Sequence, residues 1–224
     1  MPKVYLSPSN QTENRYAYGS TNEAEQCGRI ADACRIALER SGVTVKLGHM
    51  PSMQEKVRAS DAFGAELHIP IHTNAFNGSV MGTRMFCYNT GKGMAACKAI
   101  FARVAPLSPG TSENIQVNPK LYEVRVPKAP TAYIECEFHD TVEGARWIVE
   151  NAAAIGEAIA RGICDCFGVT FVESEQPKPA QPEQPAEQKL YRVQVGAFAS
   201  RANAEKMVQR QKAAGFDAFI RQDV

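Results

Sequence analysis

The sequence predicts an α/β fold, a twisted and mostly parallel sheet with helices on both faces, followed by a short C-terminal βαβ unit of half-ferredoxin-like form. Three observations predict it. Over the first 170 residues, short strand-like apolar runs alternate with longer runs of 3.6-residue apolar period. That alternation favours parallel strands joined by helical crossovers. A Pro- and Glu-rich stretch then breaks the composition, and a strand–helix–strand pattern resumes at Leu190.

Taken in order, Lys3–Leu6 reads as a strand ending in the turn-rich Ser7-Pro8-Ser9-Asn10. Asn22 and Glu25 form a capping-box pattern that opens a helix running to Gly42, with Cys27, Ile30, Ala31, Cys34, Ala37 and Leu38 as its apolar stripe. Val43–Leu47 is the next strand and Met53–Phe63 a helix. Ala65–His72 reads as a buried strand, although Pro70 lacks an N–H and argues against a central place in a sheet. Gly82–Tyr88 is a strand, Gly93–Val104 a helix, Thr131–Glu137 a strand, and the segment to Phe167 is mostly helical.

The domain boundaries follow: 1–170, a linker over 171–189, and 190–224. Glu173–Gln188 holds four prolines and four glutamates without a large apolar residue. In extended polyproline geometry it would reach roughly 50 Å. Beyond it, Tyr191–Phe198 is an alternating strand, Asn203–Ala214 a helix ended by Gly215, and Phe216–Ile220 a second strand.

Composition excludes several classes of function. With 44% hydrophobic and 22% charged residues the chain is an ordinary globular protein. A formal net charge of +1 gives no field that would draw it to nucleic acid or an acidic membrane. No apolar run approaches the roughly 20 residues that span a bilayer. The start Met-Pro-Lys-Val-Tyr-Leu has no apolar signal core, so synthesis in the cytoplasm is expected, with action on the cell wall if the reading below holds. Seven cysteines, none in a C-x-x-C pair, are expected to be reduced thiols acting as small hydrophobes. Cys164-x-Cys166 reads as one buried and one solvated helix position rather than a metal site.

No P-loop, GxSxG elbow or HExxH helix is present. The groups able to do chemistry are four histidines (His49, His68, His72 and His139) and acids at strand or helix ends, among them Glu23, Glu25, Glu135 and Glu137. A catalytic zinc site needs about three protein ligands and one open position. The chain has the groups for one, but their spacing alone does not define it.

Several of these segments, in this order, resemble the zinc-dependent N-acetylmuramoyl-L-alanine amidases. Ile69-Pro-Ile-His72-Thr-Asn74-Ala resembles that family's strand ending in a metal-binding His, and Ala132-Tyr-Ile-Glu135-Cys-Glu-Phe138 the strand with its catalytic glutamate. Asn22-Glu23 falls where the family places a glutamate ligand, and Lys120–Arg125 ahead of Ala129-Pro130 keeps the family's order. The resemblance covers about three quarters of the chain. It implies Zn2+ held by Glu23 and His72, with Glu135 as general base. Under that reading Asn74 is expected to orient the substrate or groups behind the ligands, and Arg125 either to meet a stem-peptide carboxylate or to form a surface salt bridge. Glu137 stands where the family has glycine, and is expected to narrow the site or pair with a cation.

One departure concerns the metal. The family's first strand ends in Pro-Gly-His, and that His binds zinc. Here Asn10 stands in its place, and an amide oxygen is a weaker zinc ligand than imidazole. Either the site is completed from elsewhere or activity is weakened or lost. His68 cannot complete it, because four residues along one strand put it about 13 Å from His72. His139, just past the strand that carries Glu135, is the better candidate, with Asn10 the alternative.

The activity expected from the resemblance is hydrolysis of the amide between the N-acetylmuramic acid lactyl group and L-alanine of peptidoglycan. Water activated by zinc would attack, and Glu135 would move its proton. The last segment resembles a SPOR domain, a module that recognises peptidoglycan glycan strands stripped of peptides. It does so through Tyr191–Phe198, Ala202-Asn-Ala-Glu and Gly215-Phe-Asp-Ala-Phe219. Only half of such a module is present, so pairing of two copies into a homodimer is one expected outcome. Two rivals remain at this point. One is a zinc peptidase, and the other a catalytically inactive wall-binding or regulatory protein on the same scaffold, which Asn10 favours.

Overall fold

The computed structural model describes residues 1–174 and 194–221. These fall in two compact units, Met1–Glu175 and Gln176–Val224. The first carries β1 (Lys3–Pro8), α1 (Glu23–Arg40), β2 (Thr44–Leu47), α2 (Met53–Phe63), β3 (Leu67–Asn74), β4 (Arg84–Cys87), α3 (Lys92–Val104), β5 (Asn114–Val117), α4 (Tyr122–Arg125), β6 (Tyr133–Phe138) and α5 (Val142–Phe167). The strands form one six-stranded sheet in the order β2-β1-β3-β6-β4-β5. All neighbours are parallel except β4, which runs antiparallel to β6.

The two faces of the sheet differ in chemistry. Val4, Leu6, Ile69, Ile71, Ile134 and Cys136 alternate onto one face and pack in a single apolar core against α1, α3 and α5. α5 approaches its neighbours closely because it has glycine at the crossings. A Cβ on Gly156 would lie 2.5 Å from the Ile30 carbonyl oxygen of α1, and one on Gly162 would lie 2.4 Å from the Ile100 Cα of α3. The residues between them in sequence, Tyr5, Ser7, His68, His72, Tyr133 and Glu135, alternate to the opposite face. On that face α2 and the short α4 make polar contacts to Ser7 and His68.

Pro70 sits in β3, which is central and not an edge. The strand tolerates it because of where it falls. The contact with the β6 side has a bridge at His68–Thr131, and the regular ladder begins only at Ile71–Ile134, so the missing N–H lies in the interval. A further irregularity follows. His72 pairs with Glu135 but Asn74 with Phe138, so β6 carries one extra residue.

β5 and α4, four residues each, are not among the predicted elements; α4 is a single helical turn, too short to show a period. All seven cysteines are free thiols; Cys164 is buried and Cys166 exposed on α5. Among the described residues, no helix is long and apolar enough to cross a membrane.

In the second unit the expected helix forms as α6 (Arg201–Ala213), with Gly215 at φ 87° just beyond it. The expected strands do not form among the described residues. Val195–Phe198 and Phe216–Ile220 pair with nothing, and Val195, Phe198, Phe216 and Phe219 are exposed. Residues 191–193 of the first of them lie outside the described residues. The reason is physical. A strand acquires its conformation from a ladder, and two strands flanking one helix that buries no residue have too little surface to hold one.

Candidate active site

Three acidic and imidazole groups from distant parts of the sequence come together at the start of α1, near the end of β3 and in the middle of β6. Glu23 is the first residue of α1. Asn22 caps that helix, its Oδ1 accepting from the Glu25 N–H at 3.0 Å, which sets the helix start and with it the position of Glu23. His72 near the end of β3 lies directly beside Glu135 of β6 in the ladder. His72 Nδ1 is 2.8 Å from Glu23 Oε1, and its ring stacks on Tyr133 with centroids 4.7 Å apart. Glu23 Oε2 accepts from Asn14 Nδ2 at 2.6 Å.

The two carboxylates are held in opposite states. Burial raises the Glu23 carboxyl, but the bonds and charge of His72 and the bonds of Asn14 and Ser9 outweigh it and hold it below the ordinary range. Glu135 is pushed up to about 7, chiefly by burial and further by the charge of Glu23; His72, the Tyr133 hydroxyl and Arg84 act against this. One acid therefore stays ionised while the other is poised to exchange a proton near neutrality. His72 Nε2 and Glu135 Oε2 are both enclosed, and neither has a hydrogen-bond partner.

The sequence profile described as N-acetylmuramoyl-L-alanine amidase matches residues 5–165. The chain belongs to that family. A SPOR domain profile matches residues 187–224. Among curated proteins, the sporulation-specific N-acetylmuramoyl-L-alanine amidase of Bacillus subtilis (strain 168) is 23% identical over 230 residues, covering 98% of this chain and 84% of that protein. N-acetylmuramoyl-L-alanine amidase CwlM of Bacillus licheniformis is 25% identical over 228 residues, covering 98% and 85%. Among solved structures, the catalytic domain of CwlV from Bacillus (Paenibacillus) polymyxa var. colistinus superposes with a TM-score of 0.68 at 15% identity. It covers 76% of this chain and 100% of that one, and shares the fold.

Within the amidase domain the remaining expected residues are dispersed. Asn10 is exposed, and its Nδ2 donates to the Pro51 carbonyl at 2.5 Å, away from the Glu23–His72 pair. His139 is buried elsewhere. Its Nδ1 is 2.9 Å from Thr73 Oγ1, and its ring stacks on Tyr16. Thr73 follows His72 on the strand, so its side chain leaves the opposite face, and His139 goes with it. Among the described residues no three His, Cys, Asp or Glu side chains gather as a metal-holding group.

Asn74 Oδ1 accepts from the Ala75 N–H, and Arg125 is exposed at the end of α4. Glu137 is fully buried. Its Oε1 accepts from the N–H groups of Gly82 (2.6 Å) and Phe138 (2.7 Å), and its Oε2 from the Ser108 hydroxyl. The extra residue in β6 interrupts the alternation that would have aligned Glu137 with Glu135, and Glu137 instead ties down the loops before β4 and after α3.

Sequence reasoning missed Gln11, Asn14, Tyr133 and Arg84, all of which border the site. Arg84 is paired with Glu135 across β4 and β6 and lies over the Phe138 ring, 5.0 Å from its centroid. The available signal was the density of amides in Asn10-Gln11-Thr12-Glu13-Asn14, where polar side chains follow a strand end and precede a helix start.

Proposed function

We propose that this amidase hydrolyses the amide between the lactyl group of N-acetylmuramic acid and L-alanine, using zinc held by Glu23 and His72 and Glu135 as the proton carrier. The observation that carries this reading is the register of His72 beside Glu135, with Glu23 bonded to His72. The residues present fit a cation. An ionised carboxylate and an imidazole adjoin, with His72 Nδ1 beside Glu23 Oε1, and the enclosed Glu135 Oε2 lacks a partner, which costs about 1–3 kcal/mol unless an ion's water or the reacting water satisfies it.

Bound zinc would supply Lewis acidity, lowering the pKa of water toward about 7 and polarising the carbonyl. Glu135 takes the proton from the attacking water as its oxygen bonds to the lactyl carbonyl carbon. It then passes that proton to the leaving nitrogen as the C–N bond breaks, giving a lactyl carboxylate and the free amine of L-alanine. Glu23 keeps its charge on the metal side, and Arg84 beside Glu135 steadies the charge that Glu135 carries before and after transfer. Digestion of purified peptidoglycan tests the reaction. New N-terminal L-alanine and peptide-free glycan are expected, with loss of activity on chelation and recovery with Zn2+. New reducing sugar ends, amino termini other than L-alanine, or wall binding without any release would each reject it.

The SPOR match supports peptidoglycan binding by residues 187–224. Its exposed Phe198, Phe216 and Phe219 support the further proposal that two copies pair through this unit, each supplying half of a sheet. In sedimentation the full chain is then a dimer and a version ending at Thr170 a monomer. A monomeric full chain removes the pairing.

A further inference from the structure

We propose that Gln11 supplies the third protein ligand of the metal centre, so that a side-chain amide stands where the family's imidazole would be. The inference rests on the zinc reading of Glu23 and His72 and goes beyond it, because neither residue expected to complete the centre reaches it: Asn10 is turned to Pro51 and His139 to Thr73.

The chain turns at Ser9 so that position 11, and not position 10, faces the site. Ser9 N–H donates to Ile71 O, which keeps this residue alongside β3, and Ser9 Oγ accepts from the Gln11 N–H at 3.2 Å. The loop is then fastened to the start of α1: Glu23 N–H donates to Asn14 O at 3.0 Å and Ala24 N–H to Gln11 O at 3.3 Å. The outcome is that Gln11 Nε2 lies 3.5 Å from His72 Nδ1, which itself lies 2.8 Å from Glu23 Oε1.

These separations bear on metal binding directly. Ligand atoms about 2.0–2.1 Å from one tetrahedral ion lie about 3.3 Å from each other. The two separations bracket that value, so His72 Nδ1 stands near ligand spacing from both Glu23 Oε1 and the Gln11 amide. Half a turn of the Gln11 amide exchanges its nitrogen and oxygen without moving the carbon skeleton, and presents Oε1 to the site. It gives up the bond that Gln11 Oε1 now accepts from Asn14 Nδ2 at 3.0 Å, and Asn14 keeps its bond to Glu23. One imidazole, one carboxylate and one amide oxygen form a harder donor set than two imidazoles and a carboxylate, and bind Zn2+ less tightly.

The test uses the metal-stripped full chain, Zn2+ competition against a chromophoric chelator, and the visible spectrum of the Co2+ form. The wild type is expected to bind one Zn2+. Gln11→Ala should weaken binding by about tenfold or more, and Gln11→His tighten it by a similar factor, since imidazole outranks an amide oxygen as a zinc ligand. Gln11→His should also alter the Co2+ spectrum, which reports the donor set, while Asn10→Ala leaves affinity and spectrum unchanged. Matched melting temperatures of the metal-free variants separate ligand loss from misfolding, and Gln11→His remains informative if Gln11→Ala misfolds. Wild-type affinity in Gln11→Ala, an unchanged Co2+ spectrum in Gln11→His, or loss of metal in Asn10→Ala or His139→Ala would overturn the assignment. Should His72→Ala abolish binding in that same series, the zinc reading stands and only Gln11 falls. A wild type that cleaves peptidoglycan without taking up any metal would instead remove the zinc reading itself.

Discussion

Glu135→Ala is expected to retain fold and zinc while losing about two to four decades of rate, the scale of general acid–base catalysis. The expectation follows from the position of Glu135 beside His72 and from a carboxyl that burial lifts to about 7, near the pH at which it must both take and give a proton. Single-turnover digestion of peptidoglycan measures the rate, and metal analysis of the same sample shows that the centre survives. Glu135→Gln should be equally inactive, since it keeps volume and loses the proton. Rates within a few fold of wild type would remove Glu135 from the reaction.

The second large effect is on stability and lies away from the metal. Glu123 of α4 is buried against the polar face of the sheet. Its Oε1 accepts from Ser7 Oγ at 2.5 Å and lies 3.3 Å from His68 Nε2, while His68 Nδ1 lies 3.0 Å from Ser60 Oγ of α2. Lys56, also buried, donates to the Pro8 carbonyl at 2.6 Å. Glu123→Ala leaves His68 Nε2 and Ser7 without their acceptor and the buried Lys56 without the negative charge near it, and is expected to cost about 3–5 kcal/mol, the scale for breaking a buried pair by removing one member. For the 170-residue domain this is a melting point lower by about 10 °C.

The pH dependence of that loss has a definite sign. Burial would raise the Glu123 carboxyl, but His68, Ser7 and Lys56 together hold it below its ordinary 4.5. The stabilisation is therefore fully present above pH 4.5 and is lost as pH falls through the lower folded-state value. Urea denaturation at a series of pH values should show the gap between wild type and Glu123→Ala narrowing only in that acidic range. A gap that is small at neutral pH, or that widens in acid, would contradict this account of the network.

The same residues show where sequence reading reached and where it stopped. Helices α1, α2, α3 and α5 and strands β1, β2, β3, β4 and β6 were legible because each carries its own period, cap or turn residue, and these are local properties. Glu23 at the start of α1 and His72 near the end of β3 follow from those element boundaries, whereas Glu135 lies inside β6 and was singled out, like the other two, by the family resemblance. α4, a single turn, was too short to carry a period, and β5 goes unpredicted although its Ile115 and Val117 alternate as Val45 and Leu47 do in the equally short β2. The strands expected around α6 had the right alternation, but a strand also needs a partner, which no local pattern supplies.

What tertiary structure alone decided is which side chains meet. Asn10 and Gln11 are neighbours in sequence, and the turn at Ser9 sends one to Pro51 and the other to His72. His139 follows Glu135 by four residues, yet an extra residue in β6 and the alternation of β3 put it with Thr73 on the other face. Glu137 matches Glu135 in chemistry, and the same extra residue turns it to the loop amides. The sequence by itself determined the elements, their order and the stock of acids, amides and imidazoles at their ends, because those depend on contacts within a few residues. Register, a one-residue bulge and the pairing of distant strands selected the few that share a site, because an offset of one residue in a strand reverses the face to which a side chain points.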